Sequence, residues 1–364
     1  MLSLYDETSA STRVRLLQYV DSLALEGHSC SVNFLLPSNG VLASLVRNSA
    51  SSRDLARRSA IALRIAISYI RRIFALARSS AFDIVVIHCE FLPFFPAWIE
   101  RLFLRIPYVY DFDDAFYLKY REGRYAFLCP VLGDKFDRMI SNAFAVTAGS
   151  PRLARYASSF NDNVSLLPSC ADTDRYRPLV LSVKLKTGDC VTIGWIGSPT
   201  TAPYLQLLVE PLQRLASERP VRLLVVGGPA PAIAGVDVIE QPWSLEQEVP
   251  LIQQFDVGVM PLPDTPWTRG KCAYKLIQCM ACGIPVVASR VGANVEAVPT
   301  ECGLLAETPE EWLSAFRRLA AEPELRQRMG TAARQWVEQR YSLRSAIPVL
   351  TGVIQRAVAA LPRR

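Results

Sequence analysis

Histidine is almost missing from this chain: His28 and His88 are the only two. A zinc site built on imidazoles is therefore set aside. Nowhere does an apolar run reach the roughly 18 residues of a membrane-crossing helix. Asp6 and Glu7 stand where a secretory signal would need its apolar core, which points to the cytoplasm. Gly-x-Ser-x-Gly, Walker A and Gly-x-Gly-x-x-Gly patterns are all lacking. There are no internal repeats at solenoid periods. Lysine is scarce as well, with six (119, 135, 184, 186, 271, 275) against 34 arginines. The nine cysteines are odd in number and lie mostly in apolar runs, so they read as reduced, buried thiols. Cys279-x-x-Cys282 has no second pair at metal-ligand spacing and reads as core packing.

Short runs rich in Val and Ile, each followed by Gly, Ser or Asp, alternate with longer helical patterns. In the first half these are 29–36, 82–89, 107–113 and 144–150. In the second they are 191–198, 221–228, 236–240, 257–262 and 284–290. Such runs predict strands buried on both faces, and the helices between them predict parallel crossovers. A length of 364 residues suits two domains at roughly 150 residues each. The turn-rich stretch 168–190 breaks the rhythm, and the junction is expected near 178–188. The expected layout is an α/β chain of two Rossmann-like doubly wound domains, 1–180 and 188–345, followed by a C-terminal helix over 346–364. Two such sheets facing each other would form a cleft, with ligands beyond the carboxyl ends of the strands.

The net charge of +6 is local. Between Arg47 and Arg78 eight arginines face one acid, Asp54, so the segment carries +7 and the rest of the chain −1. That distribution argues against a general nucleic-acid-binding surface. The segment predicts an amphipathic helix over 53–78, with Arg57, Arg64, Arg71 and Arg78 on one stripe and Ala62, Ala66, Ile70, Ile73 and Phe74 opposite. It is either a solvated basic face or a helix lying on an anionic membrane.

The loops after strands hold the candidate chemistry. In 260–283 a helix is expected to start near Gly270 or Lys271. Its amino end offers free N–H groups, Arg269 and Lys271 add charge, and Lys275 follows one turn on along the same face. A phosphate fits there; a solvated helix start is the alternative. Gly197, Ser198, Thr200 and Thr201 after one strand, and Gly227 with Gly228 after another, can line the same rim. Asp111, Asp113 and Asp114 close a buried strand, where such a triplet can hold a metal, act as a base or cap a helix. Thr8 to Arg15 opens a helix expected to reach about Glu26, with hydroxyls for capping and Arg13 and Arg15 for ligand contact. His88 ends a strand and joins the candidates.

The segment KLIQCMACGIPVVASRVGANVEAV (275–298) resembles a retaining glycosyltransferase of family 4, with the GT-B fold. LALEGHSCSV (23–32), LLPSCADTDRYRP (166–178) and the stretch from Gly303 to Gly330 add to that resemblance, which covers nearly the whole chain. It implies a nucleoside diphosphate sugar donor bound mainly by the second domain, transfer with retention, no metal, and a glycan or lipid-linked acceptor. A polysaccharide assembly pathway is the implied context, and the C-terminal helix would cross back to the first domain. Family members carry two glutamates separated by seven residues; Gly270 and Gln278 stand at those positions here. The resemblance gives Gln278 the donor ribose and sets the backbone of Cys272, Ala273 and Tyr274 against the sugar and phosphate. Lys271 and Lys275 would compensate for the lost carboxylates by gripping the diphosphate, and Asp113, ahead of Asp111, would orient the acceptor hydroxyl. Two other readings stand beside it. The lost carboxylates suit a non-catalytic sugar-nucleotide-binding subunit. Asp111-Phe-Asp113-Asp114 resembles the start of a haloacid-dehalogenase-type phosphatase.

Overall fold

The computed structural model describes residues 1–36, 53–104, 106–179 and 190–360. The chain divides into two compact units: Met1–Pro168 with Ile347–Arg364, and Ser169–Ala346. The division falls between Pro168 and Ser169; most of the expected junction, 178–188, lies outside the described residues.

Each unit is built on a six-stranded sheet whose pairings are all parallel. The first contains β1 (Leu2–Tyr5), β2 (Asn33–Leu36), β3 (Val85–His88), β4 (Tyr108–Phe112), β5 (Ala145–Ala148) and β6 (Val164–Leu166), in the order β2-β1-β3-β4-β5-β6. The second contains β7 (Val191–Ile196), β8 (Val221–Val226), β9 (Asp237–Gln241), β10 (Val257–Met260), β11 (Val286–Ser289) and β12 (Gly303–Ala306), in the order β12-β11-β10-β7-β8-β9. All nine expected runs contain strands. The three unforeseen ones, β1 (LSLY), β6 (VSL) and β12 (GLLA), hold one Val and no Ile between them, so they lack the run by which the others declare themselves.

Close backbone approach sets the layers of the second unit. A Cβ on Gly258 of β10 would sit 2.6 Å from Cys279 Sγ, so the helix Tyr274–Ala281 lies directly on the strand. Cys279 and Cys282 are buried there among apolar side chains, and burial pushes the Cys282 thiol up to about 12. Core packing is their role, as expected.

The helix Leu343–Ala359 starts in the second unit and ends in the first, where Val353 is buried with Leu16, Val86, Val109 and Ala145. Residues 361–364 of the expected tail lie outside the described residues.

Three local expectations are corrected. The helix foreseen from Thr8 to Glu26 is broken into Ala10–Arg15, a single 3₁₀ turn Leu17–Tyr19 and Val20–Leu25. Leu16 leaves helical geometry at φ −127°, and Ser9 at the amino end makes no side-chain cap. The basic helix runs Arg53–Ala77, but its faces differ from the expected two. Ile65, Tyr69, Arg72 and Leu76 turn inward, whereas Ala62, Ala66, Ile70 and Phe74 are exposed. Finally, the helix expected from Gly270 begins at Tyr274, after a 3₁₀ turn at Thr268–Gly270. Ala273 sits between them at φ 56°, left-handed for a residue with a Cβ, so the chain turns there rather than winding through.

Candidate functional site

In the second unit the candidate residues gather where β7 and β8 end. Gly197 follows β7 and Gly227 follows β8. A Cβ on Gly227, at φ 84°, would lie 2.4 Å from the Gly197 carbonyl, so the two loops touch backbone to backbone. Lys275, second residue of the helix Tyr274–Ala281, reaches into this corner. Its ammonium donates to Thr201 Oγ1 at 2.8 Å and stands 4.3 Å above the Trp195 ring. A Cβ on Gly197 would come within 2.5 Å of that ammonium and 2.6 Å of the Trp195 ring, so a side chain there would displace both. Ser198 and Thr200 join hydroxyls at 2.8 Å on the exposed rim. The first N–H groups of the helix have no acceptor within it, and the positive end of its dipole lies beside the Lys275 charge.

Lys271 and Lys275 do not share a helix face, contrary to the expected i, i+4 relation. Lys271 precedes the helix in extended conformation, and its ammonium lies 5.7 Å from the Trp267 ring centre. Arg269 forks onto Asp264, at 2.5 and 2.7 Å. The backbone of Gly270 is buried, as are Cys272 and Ala273.

Gln278 is buried and faces a polar cluster that the sequence did not announce. Its amide donates to Tyr176 Oη at 2.9 Å and to Glu248 Oε1 at 3.1 Å. Glu248 also accepts from Tyr176 at 2.5 Å, Trp243 at 3.0 Å and Arg175 at 3.1 Å. A carboxylate thus stands beside the position where the resembled family has one, but it comes from the helix Glu248–Ile252. No local motif marks it.

In the first unit, register builds the site. Ser3 pairs with His88, His88 with Asp111, and Asp111 with Thr147, across β1, β3, β4 and β5. Parallel neighbours in register point the same way, so four polar side chains form one buried row. Arg15 lies over it, donating from Nε and Nη2 to the two Asp111 oxygens at 3.1 and 2.5 Å, and from Nη1 to the Leu167 carbonyl at 2.6 Å. Thr147 adds a bond to Asp111 Oδ1 at 2.6 Å, and His88 Nδ1 lies 2.8 Å from Oδ2. Burial alone would raise the Asp111 pKa; the Arg15 charge and these bonds overcome it and hold the carboxyl far below its usual range.

From His88 the network runs outward. Nε2 lies 2.8 Å from Ser11 Oγ, and Ser11 donates to Asp113 Oδ2 at 2.7 Å. Asp113 keeps a partly open side chain, so it is the end of the chain that a ligand can meet. Cys89 Sγ is 3.0 Å from His88 Nε2, and ligand atoms of His88, Cys89 and Asp113 lie within 4.8 Å of one another, a spacing a metal ion can take. The sequence named His88, Asp111 and Asp113, and Ser11 only as part of the hydroxyl run from Thr8, but not Thr147 or Cys89. Arg13, also named, turns back to the Glu7 and Thr8 carbonyls at 3.2 and 2.7 Å.

Comparison with known proteins agrees with this architecture. Residues 190–322 match the family described as Glycosyl transferases group 1. D-inositol 3-phosphate glycosyltransferase of Gordonia bronchialis is 26% identical over 268 residues, which is 64% of this chain and 55% of that protein. The protein of the same name from Saccharomonospora viridis is 40% identical over 87 residues, 23% of this chain and 20% of that protein. The matched stretches therefore span at most about half of these relatives. Among solved structures, sucrose-phosphate synthase of Thermosynechococcus elongatus superposes with a TM-score of 0.70 at 15% identity, covering 99% of both chains. Anabaena Alr3699/HepE, in complex with UDP and glucose, superposes with a TM-score of 0.64 at 14% identity, covering 97% of this chain and 99% of that one.

Proposed function

We propose that this chain, whose residues 190–322 match the Glycosyl transferases group 1 family and whose fold is that of the solved structures above, is a GT-B glycosyltransferase that moves a glycosyl group from a nucleoside diphosphate sugar to a glycan or lipid-linked acceptor, with retention at the anomeric carbon. The observation that carries the reading is the corner formed by Lys275, Thr201 and the paired loops after β7 and β8. A diphosphate brings two or three negative charges. An ammonium beside a helix start and a glycine-lined backbone suits it, and the leaving diphosphate gains charge in the transition state. In this reading the stabilising charge comes from Lys275, Lys271 and backbone N–H groups, with no metal required. Gln278 would hold the donor ribose, with the Glu248 carboxylate at its side. Asp113 would orient the acceptor hydroxyl, and the departing phosphate would accept its proton. D-inositol 3-phosphate glycosyltransferase and the UDP-bound Anabaena protein are consistent with a phosphorylated or nucleotide-linked substrate.

A second reading, a binding subunit without transfer, is favoured by one observation: the Gln278 amide is already engaged by Tyr176 and Glu248, and Gly270 carries no side chain. The phosphatase reading asks Asp111 to act as a nucleophile, yet each of its oxygens already accepts two bonds. Thermal shift against UDP, GDP and their sugar conjugates tests the donor, because a ligand that binds the folded state raises its melting temperature. Donor hydrolysis or transfer by the stabilising conjugate separates enzyme from binding subunit. Stabilisation by none of them would defeat both readings.

A further inference from the structure

The helix Arg53–Ala77 presents an apolar stripe to solvent. Leu63, Ile67, Ile70 and Phe74 follow at steps of four, three and four, on the side away from Ile65, Tyr69, Arg72 and Leu76. Phe74 is 64% exposed and Leu63 62%. Single exposed apolar residues need no explanation, but four in one stripe do. Arg64, Arg71 and Arg78, all exposed, run along one flank of the stripe at seven-residue spacing.

The neighbouring helix, Ala97–Phe103, adds Trp98 at 60% and Leu102 at 62% exposure, one turn apart. The loop before it exposes Phe94 and Phe95. That loop is tied to the long helix: Tyr69 donates to the Pro93 carbonyl at 3.2 Å, and its ring lies 5.9 Å from that of Phe95. Phe94 is held at φ 65°, a conformation costing a side-chain-bearing residue roughly 1 kcal/mol or more. Its N–H donates to Tyr120 Oη at 2.9 Å, and its ring meets Tyr120 and Tyr125 edge-on. The fold thus spends strain on keeping an aromatic ring near the surface.

We propose that this face docks the first unit on an anionic membrane, lying in the interface without crossing it. Leu, Ile, Phe and Trp would enter the boundary between headgroups and acyl chains while the arginines meet lipid phosphates. Charge selects this occupant. The described face presents Arg64, Arg71 and Arg78, and residues 62–78 contain no acid, so a second copy of the chain would set like charge against like charge. No helix among the described residues is long and apolar enough to cross a membrane, which leaves the interfacial mode. The inference stands on the first unit alone and does not depend on the donor site.

Co-sedimentation of the full chain with vesicles tests it. The chain should pellet with phosphatidylcholine–phosphatidylglycerol vesicles, remain in solution with phosphatidylcholine alone, and be released as salt rises. Ile70→Ser with Phe74→Ser should abolish pelleting without lowering the thermal midpoint, since both side chains face solvent. Arg64→Gln should weaken partitioning about fivefold, and Arg64→Gln with Arg71→Gln about twentyfold or more. Trp98→Ser should weaken it independently and remove the blue shift of tryptophan emission that vesicle addition should produce in the unaltered protein. Failure to pellet with anionic vesicles overturns the proposal. So does equal binding to neutral vesicles, or a lipid-free dimer in light scattering that Ile70→Ser with Phe74→Ser disperses.

Discussion

Lys275 and Lys135 are two of six lysines and are used in opposite ways. Lys135 has no exposed side-chain surface; its ammonium lies 2.8 Å from Glu90 and 3.0 Å from Glu100 and donates to the Leu92 carbonyl at 2.5 Å. Lys135→Met should cost about 3–5 kcal/mol, read from urea unfolding, because it strands a buried carboxylate. Lys275 is half-buried with its charge at the rim of the proposed donor site. Lys275→Ala should lower turnover by about tenfold to a hundredfold, roughly 1.4–2.7 kcal/mol of transition-state stabilisation, while shifting the thermal midpoint little. A loss of turnover matched by an equal loss of stability would remove Lys275 from catalysis. Lys275 was legible because it sits in a loop-to-helix segment already suspect. Lys135 was not, since Glu90 lies 45 residues earlier and only the fold brings them together. Glu100 extends this cluster to pH. Burial, opposed by Lys135 and the Leu92 N–H, raises its pKa from 4.5 to about 7. The folded state therefore keeps this proton where the unfolded chain has lost it. The resulting stability is full below 4.5 and is lost as pH rises through about 7, a change of at most about 3 kcal/mol. Melting curves of Glu100→Gln, which has no proton to lose, should lack that decline.

At the scale of elements, strands were easier to read than helix starts, and the reason is physical. A strand buried on both faces declares itself by uninterrupted Val and Ile, as in VRLLVV of β8. A helix start depends on one backbone angle, and Ala273 gives no warning that it will be left-handed. The same limit hid the break at Leu16 and the true inner face of the basic helix, where Arg72 is buried and Phe74 is not. Periodicity located the helix; the neighbours it packs against chose the face. The roles of Glu248 and Ser11 were illegible for another reason: each residue completes its cluster from a separate element, so no local spacing connects them to Gln278 or His88. The left-handed turn at Ala273 gives a direct test of strain. Ala273→Gly should raise stability by about 0.5–1 kcal/mol, measured by denaturant midpoint, because glycine takes that angle without penalty. Gly194→Ala should do the reverse and by more, since its Cβ would fall 1.9 Å from the Phe255 ring. Adding Phe255→Leu should recover part of that loss.

At the scale of the molecule, two units with separate cores share one chain whose end returns to its beginning. The last described helix closes the first unit, although 178 residues of the second, Ser169–Ala346, lie between. Val353 is wholly buried there against Leu16, Val86, Val109 and Ala145. The second unit is filled independently by clusters around Leu276, Ile277 and Met280 on one side of its sheet and Leu212, Leu215 and Phe316 on the other. Val353→Asp should therefore injure the first unit alone. An unpaired carboxylate in that core costs on the order of 4 kcal/mol or more, enough to unfold a marginal domain. Tryptophan makes the outcome readable, since Trp98 belongs to the first unit and Trp195, Trp243, Trp267, Trp312 and Trp336 to the second. Heating this variant should lose part of the far-ultraviolet dichroism early, while most of the tryptophan emission holds until the unaltered second transition. If dichroism and emission instead fell together at one lowered temperature, the two units would be a single cooperative body and the assignment of the C-terminal helix to the first core alone would fail.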